Sequence, residues 1–153
     1  MREPFAREGS ESVGAEGVVA GVHNSASIMD PSSITFVVLT RNEERNLAEC
    51  LRSLPNGAVA LVFDAESDDR TRPIAADLGA RVAVSPWRGF AMAREGAEQL
   101  VQTEWLFILD ADERVTPALR DELAALQPSA SIDAYTIPRA NHFCGRWIRG
   151  AAW

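Results

Sequence analysis

From Ile34 onward, unbroken apolar runs alternate with stretches whose apolar residues recur every three or four positions. ITFVVLT, at 34–40, is apolar and β-branched, the pattern of a strand covered on both faces. Glu43 to Leu54 follows, with Leu47, Cys50, Leu51 and Leu54 on one helical stripe, acids in the first turn, and Pro55-Asn56-Gly57 as its stop. ALVF predicts a second strand within 58–63. Thr71 is expected to cap a short helix that carries Pro73, Ile74 and Leu78 and closes on Gly79. RVAV, at 81–84, predicts a third strand. A loop with Pro86, Trp87 and Gly89 leads to a helix aligning Ala93, Ala97, Leu100 and Val101. WLFIL, at 105–109, is the fourth strand, and Thr116-Pro117 opens a helix through Leu126. AYTI gives a fifth strand, and RANHFCGRWIRGAAW is expected to be irregular. Strand–helix alternation implies an α/β fold, a mostly parallel sheet with helices on both faces.

Residues 1–32 break this pattern. They are rich in Gly, Ser, Glu and Ala without a sustained period, so a disordered tail or a start of translation at Met29 is expected, with VVAGV as a weak strand at most. The remaining 33–153 make one domain. The net charge of −7 argues against a nucleic-acid partner. All 15 cations are arginines, so P-loop and Schiff-base chemistry, which need lysine, are excluded. Cys50 reads as a buried thiol, Cys144 pairs with nothing at metal spacing, and neither His23 nor His142 has a partner at ligand spacing. No apolar run approaches the ~20 residues of a membrane span and no secretory signal opens the chain, so a cytoplasmic location is expected.

Chemistry concentrates where the strands end, the usual ligand edge of an open α/β sheet. The first strand ends in Thr40-Arg41-Asn42-Glu43, the second in Asp64-Ala65-Glu66-Ser67-Asp68-Asp69, the fourth in Asp110-Ala111-Asp112-Glu113. Converging carboxylates repel unless a cation or a hydrogen-bonding ligand lies between them. Asp110 and Asp112 point the same way along an extended segment, and carboxylates there suit Mg²⁺ or Mn²⁺, hard cations that leave positions open for diphosphate oxygens. Alternatives stand beside each residue. The Asp-x-Asp acids also suit capping of the next helix, Asp64 and Asp69 suit turns bonded to their own backbone, and Arg94 suits a solvated helix face. Trp87 and Trp105 read as core or pocket-wall aromatics.

TFVVLTRNEERNLAECLRSL, VFDAESDDRT, WRGFAMAREGA and LDADERVTPAL, in this order and spacing, resemble family 2 glycosyltransferases of the GT-A fold. The closing PRANHFCGRWIRGAAW is similar to a segment of the bacterial branch that builds the lipopolysaccharide core. The resemblance covers about Ile34 to Trp153. It implies a Rossmann-like GT-A sheet, incomplete at its C-terminal side, and inverting transfer of a sugar from a nucleotide-diphosphate sugar to a lipid-linked or lipopolysaccharide-core acceptor. It also implies Mg²⁺ or Mn²⁺ as cofactor and peripheral association with the inner face of the cytoplasmic membrane. By the same resemblance Thr40 and Glu43 line the nucleotide pocket, with Arg41 and Asp69 beside them. Asp64 accepts from the base, Arg94 approaches the diphosphate, Asp110 faces the ribose or sugar, and Asp112 holds the metal. Glu95 stands where the family often has Asn. The family's general base lies well beyond the metal motif, so it is expected past Trp153; Asp133, at a strand start, sits on the wrong edge. The competing expectation is a non-catalytic, nucleotide-binding remnant of a transferase; a nucleotidyltransferase or a phosphatase of the haloacid dehalogenase type fits less well.

Overall fold

The computed structural model describes residues 17–21, 28–129, 131–143 and 146–148. A six-stranded sheet runs in the order β4-β3-β2-β5-β1-β6. Its strands are β1 (Gly17–Gly21), β2 (Ile34–Thr40), β3 (Val59–Asp64), β4 (Arg81–Val84), β5 (Trp105–Asp110) and β6 (Ala134–Ile137). Strands β4, β3, β2 and β5 are parallel, and β1 runs antiparallel between β5 and β6. All five strands expected from Ile34 onward are present; the central β2 is buried at every residue, whereas the edge strand β4 is mostly exposed and β6 alternates.

Four helices cover the sheet: α1 (Leu47–Ser53), α2 (Thr71–Asp77), α3 (Phe90–Glu98) and α4 (Pro117–Ala125). Leu47 and Cys50 of α1, Ala75 of α2 and Leu123 of α4 pack with Phe36, Val38, Val62, Phe107 and Leu109. Ala93 and Ala97 of α3 pack with Val37, Leu39, Leu61, Phe63 and Leu106. Alternate residues of each strand thus enter one cluster or the other. Small residues let α3 approach closely; a Cβ on Gly96 would meet Phe63 at 3.0 Å. Thr116 caps α4 as expected, its hydroxyl accepting from the Leu119 N–H at 3.1 Å.

Five expectations need correction. Residues Gly17–Gly21 of the supposed tail form β1, with Val19 opposite Phe107 on one side and Tyr135 on the other. A weak segment holds this place because it supplies backbone partners to two strands at once. Met29 is buried, its N–H donating to Leu126 O at 2.8 Å, so the core begins before Ser32. Helix α1 starts at Leu47, not Glu43, and the N–H groups of Glu43 and Glu44 ahead of it donate to Thr71 Oγ1 and Asp69 Oδ2 across the next loop. Thr71 is the first residue of α2 rather than its cap. The terminal segment holds a two-stranded antiparallel pair, β7 (Asn141–Phe143) with β8 (Arg146–Ile148). His23 and Cys144 lie outside the described residues.

Two outcomes follow. Deleting residues 1–27 strips the pairing from β5 and β6, so the thermal midpoint should fall by at least about 4 °C, equivalent to roughly 1 kcal/mol or more. An unchanged midpoint would remove β1 from the stable fold. Burial pushes the Cys50 thiol from 9.0 to about 12, with nearby acids adding and Arg114 opposing. The native thiol therefore stays protonated, and the stability tied to it is lost only as pH rises from about 9 towards 12. In a Cys144→Ser variant, a thiol reagent at pH 8 should label Cys50 only at the rate of unfolding.

Candidate functional site

The ends of β2, β3 and β5 lie side by side, with Thr40 opposite Asp64 and Leu39 opposite Asp110. The acids expected at this edge separate into a closed group and an open one. Asp64 is completely buried. Its Oδ1 accepts from Thr40 Oγ1 at 2.9 Å and from Ser67 Oγ, and its Oδ2 accepts from the Ser67 N–H at 2.9 Å. Arg72 Nε stands 3.8 Å away, and the same guanidinium donates to Ser67 O. Asp64 is therefore held as an internal clamp, both of its oxygens hydrogen-bonded within the protein.

The clamp extends outward through the loops. Ser67 Oγ accepts from the Asn42 N–H at 2.8 Å, and Asn42 Oδ1 accepts from the Asp68 N–H at 3.0 Å. Asn42 and Glu66 both hold positive φ, 57° and 52°, a conformation that costs L-residues energy and persists here because the hydrogen bonds dictate it. Asp69 accepts from Thr71 and from the Glu44 N–H. Burial pushes its carboxyl up, but these hydrogen bonds outweigh that and hold it below its ordinary value. Glu43 binds Asn46 through its side chain, whereas Arg41 is exposed at the rim.

Asp110 and Asp112 are arranged differently. The cap of α4 is Thr116, so neither carboxylate caps that helix. Asp112 is exposed, and Asp110 is 40% exposed with Arg139 Nη2 at 3.9 Å from Oδ2. Beside them stands Glu113, whose Oε2 accepts from the Asp110 N–H at 2.8 Å. Arg139 Nε lies 2.7 Å from Glu113 Oε1, an ion pair whose buried N–H is not aimed at that oxygen. Burial pushes the Glu113 carboxyl above its ordinary value; the Asp110 N–H and Arg139 oppose this, and Asp110 and Asp112 add to it.

Glu113 and Arg139 were not singled out from sequence as site residues. Their signals are positional: one acid three residues after Asp110, and one arginine just beyond β6, which ends at this same edge. Arg94 sits apart on the exposed side of α3, with no hydrogen bond or ion pair among the described residues. Trp105 is core, whereas Trp87 is 40% exposed and so lies outside the core. Asp133 precedes β6, at the opposite edge.

Residues 35–151 match Glycosyl transferase family 2. The chain belongs to that family. It is 35% identical over 103 residues to an uncharacterized glycosyltransferase of Rickettsia bellii, covering 67% of this chain and 35% of that protein. It is 32% identical over 118 residues to the lipopolysaccharide core biosynthesis glycosyltransferase LpsC of Rhizobium meliloti, covering 73% of this chain and 44% of the relative. Among solved structures, the mannosyltransferase PcManGT of Pyrobaculum calidifontis, in complex with GDP-Man and Mn²⁺, superposes with a TM-score of 0.51 at 26% identity, covering 67% of this chain and 34% of that one. The chain thus spans about a third of the length of the Rickettsia relative. The shared architecture is the mixed α/β GT-A fold.

Replacing Asp64 with Ala strands the Thr40 hydroxyl, the Ser67 N–H and a guanidinium in one step. Urea denaturation should register a loss of about 3 kcal/mol. A loss below about 0.5 kcal/mol, within the range of an ordinary surface change, would show that the loops hold without it.

Proposed function

We propose that this chain carries the donor-binding part of an inverting glycosyltransferase, taking a sugar from a nucleotide-diphosphate sugar for a lipid-linked or lipopolysaccharide-core acceptor. The observation that carries the reading is the pair Asp110 and Asp112, which cap no helix and stand open at the sheet edge while neighbouring acids are consumed internally. Carboxylates left to solvent beside a buried acid are destabilising to one another, and a ligand that brings positive charge relieves this.

The donor set fits Mg²⁺ or Mn²⁺. It offers hard oxygen ligands, few in number, which suits a cation that keeps positions for water and for diphosphate oxygens. Asp112, exposed and unpaired among the described residues, would hold the cation, with Asp110 turned to the ribose or sugar. When bound, such an ion neutralises charge developing on the leaving diphosphate. Thr40, Arg41, Glu43 and Asp69 form the nucleotide side of the pocket, where backbone and rim groups make the contacts. Asp64 holds that wall from behind. Arg94, free on α3, is available to a phosphate, for which a guanidinium fork is well matched. The PcManGT complex with GDP-Man and Mn²⁺ supports the donor class and the use of a divalent ion, and LpsC supports a lipopolysaccharide-core acceptor. No helix among the described residues is long and apolar enough to cross a membrane. The location that goes with a lipid-linked acceptor is the cytoplasm, at the inner face of the membrane.

Thermal shifts with a panel of UDP-, GDP- and ADP-sugars plus Mn²⁺ should identify one preferred donor; saturation at 100 times Kd stabilises by about 2.7 kcal/mol. Asp112→Asn should abolish the metal-dependent part of the shift and leave the metal-free midpoint unchanged or slightly raised. An undiminished Mn²⁺-dependent shift in that variant would remove Asp112 from the metal site.

A further inference from the structure

The acids after β5 sit on a turn whose backbone is tied down on both sides. The Glu113 N–H donates to Asp110 O at 3.0 Å, closing a four-residue β-turn, and Glu113 Oε2 accepts from the Asp110 N–H at 2.8 Å. Both backbone polar groups of Asp110 are thus engaged by one residue three positions on. On the other side, Arg114 Nη1 donates to Ala111 O at 2.9 Å and to Glu113 O at 2.8 Å, and its Nη2 donates to Glu49 Oε2 of α1 at 3.2 Å. The Val115 N–H donates to Ser53 Oγ at 3.0 Å, again on α1. Ala111 is buried, and Asp112, the third residue of the turn, stands exposed at its tip.

Glu113 is itself held from a distant piece of chain. Arg139, just beyond β6, places Nε 2.7 Å from Glu113 Oε1 and donates from Nη2 to Oε2 at 3.5 Å. Both Glu113 oxygens are therefore engaged inside the protein. Among the described residues no three acidic, histidine or cysteine side chains are gathered to hold one ion, so Glu113 does not fit as a third ligand beside Asp110 and Asp112. We infer that Glu113, braced by Arg139, is a positioning residue: it fixes the turn that presents Asp110 and Asp112 to the cation without touching the cation itself. Neighbouring carboxylates repel, and on a loose turn they would swing apart. A site with few protein ligands depends on how those ligands are aimed, and outer hydrogen bonds supply the aim. The Glu113 carboxylate supplies it at the backbone of Asp110, and Arg139 keeps that carboxylate in place.

The role rests on the reading of Asp112 as a metal ligand, so the full chain is measured once without metal and once with it. Amide exchange followed by NMR in the metal-free protein reads the Asp110 N–H directly. Glu113→Ala should speed its exchange at least about tenfold, the scale of one hydrogen bond to a charged acceptor. Glu113→Gln keeps an acceptor oxygen and should stay near the parent. Titration with Mn²⁺ alone, followed by loss of the free-ion paramagnetic resonance signal, should show Glu113→Ala binding about 10–100-fold more weakly, with Glu113→Gln close to the parent. Charge alone would make the two variants lose alike. Arg139→Met tests the sign: deleting a cation beside two carboxylates would tighten Mn²⁺ binding by charge alone, whereas loss of the brace should weaken it. Thermal midpoints establish that each variant folds; should Glu113→Ala not fold, the sign of the Arg139→Met effect decides. Parent-like exchange in Glu113→Ala, equal Mn²⁺ loss in the Ala and Gln variants, or tighter binding by Arg139→Met each overturns the inference and leaves the metal reading standing. A parent chain with no Mn²⁺ binding that Asp112→Asn removes overturns the metal reading itself, and the positioning role falls with it.

Discussion

The functional edge depends on a single buried carboxylate. Asp64 ends β3, is wholly buried, and joins three pieces of chain: the end of β2 through Thr40, its own turn through Ser67, and the start of α2 through Arg72. A buried charge is expensive unless its hydrogen bonds are made, so the geometry around it is tightly constrained. That constraint passes to Asn42 through Ser67 Oγ and then to Asp68 through Asn42 Oδ1. Two residues at positive φ are held in place by it. The edge is rigid before any ligand arrives, and rigidity of this kind reduces the ordering cost of binding.

The neighbouring strand end is built the other way. Asp110, Asp112 and Glu113 crowd three acids into four positions, with Arg139 as the cation set against them. Arg139 serves Glu113 at 2.7 Å and reaches Asp110 only at 3.9 Å, so the compensation is uneven. Asp112 gets none of it. Placing a closed network beside an open one gives the edge a fixed wall and a charged rim, and residual negative potential collects at Asp112.

Much of this architecture was legible in the sequence. Strands β2, β4 and β6 fall within the bounds expected from their apolar runs, and Thr116 caps α4 at the expected position. Burial patterns are short-range and periodic, which is why a single sequence carries them. The failures share a physical cause. Helix α1 begins at Leu47, after a segment whose Glu43 and Glu44 N–H groups donate to residues 28 and 25 positions away, contacts no local pattern records. Strand β1 shows in the sequence only as the weak VVAGV run, because its place depends on two partners and not on its own propensity. Among the site residues, the same letters, Asp at a strand end, describe both a buried clamp and an exposed rim. Only the hydroxyls of Thr40 and Ser67, converging from two strand ends, separate Asp64 from Asp110.

Sheet alternation explains why these two acids take opposite roles. Asp64 follows Val62 in the cluster under α1 and α2, whereas Asp110 follows Ile108 on the side of α3. The face of Asp64 is roofed by Thr71 and the turn at Ser67, both buried, so a carboxylate there must find its partners inside the protein. On the face of Asp110 lie the small residues of α3 and Arg139, and its side chain is 40% exposed. Cover, not residue type, decides which acid is buried in the structure and which stays exposed at the edge. The Trp87–Phe90 loop enters α3 on that same less-covered side, which brings the open acids and the exposed aromatics to one end of the molecule.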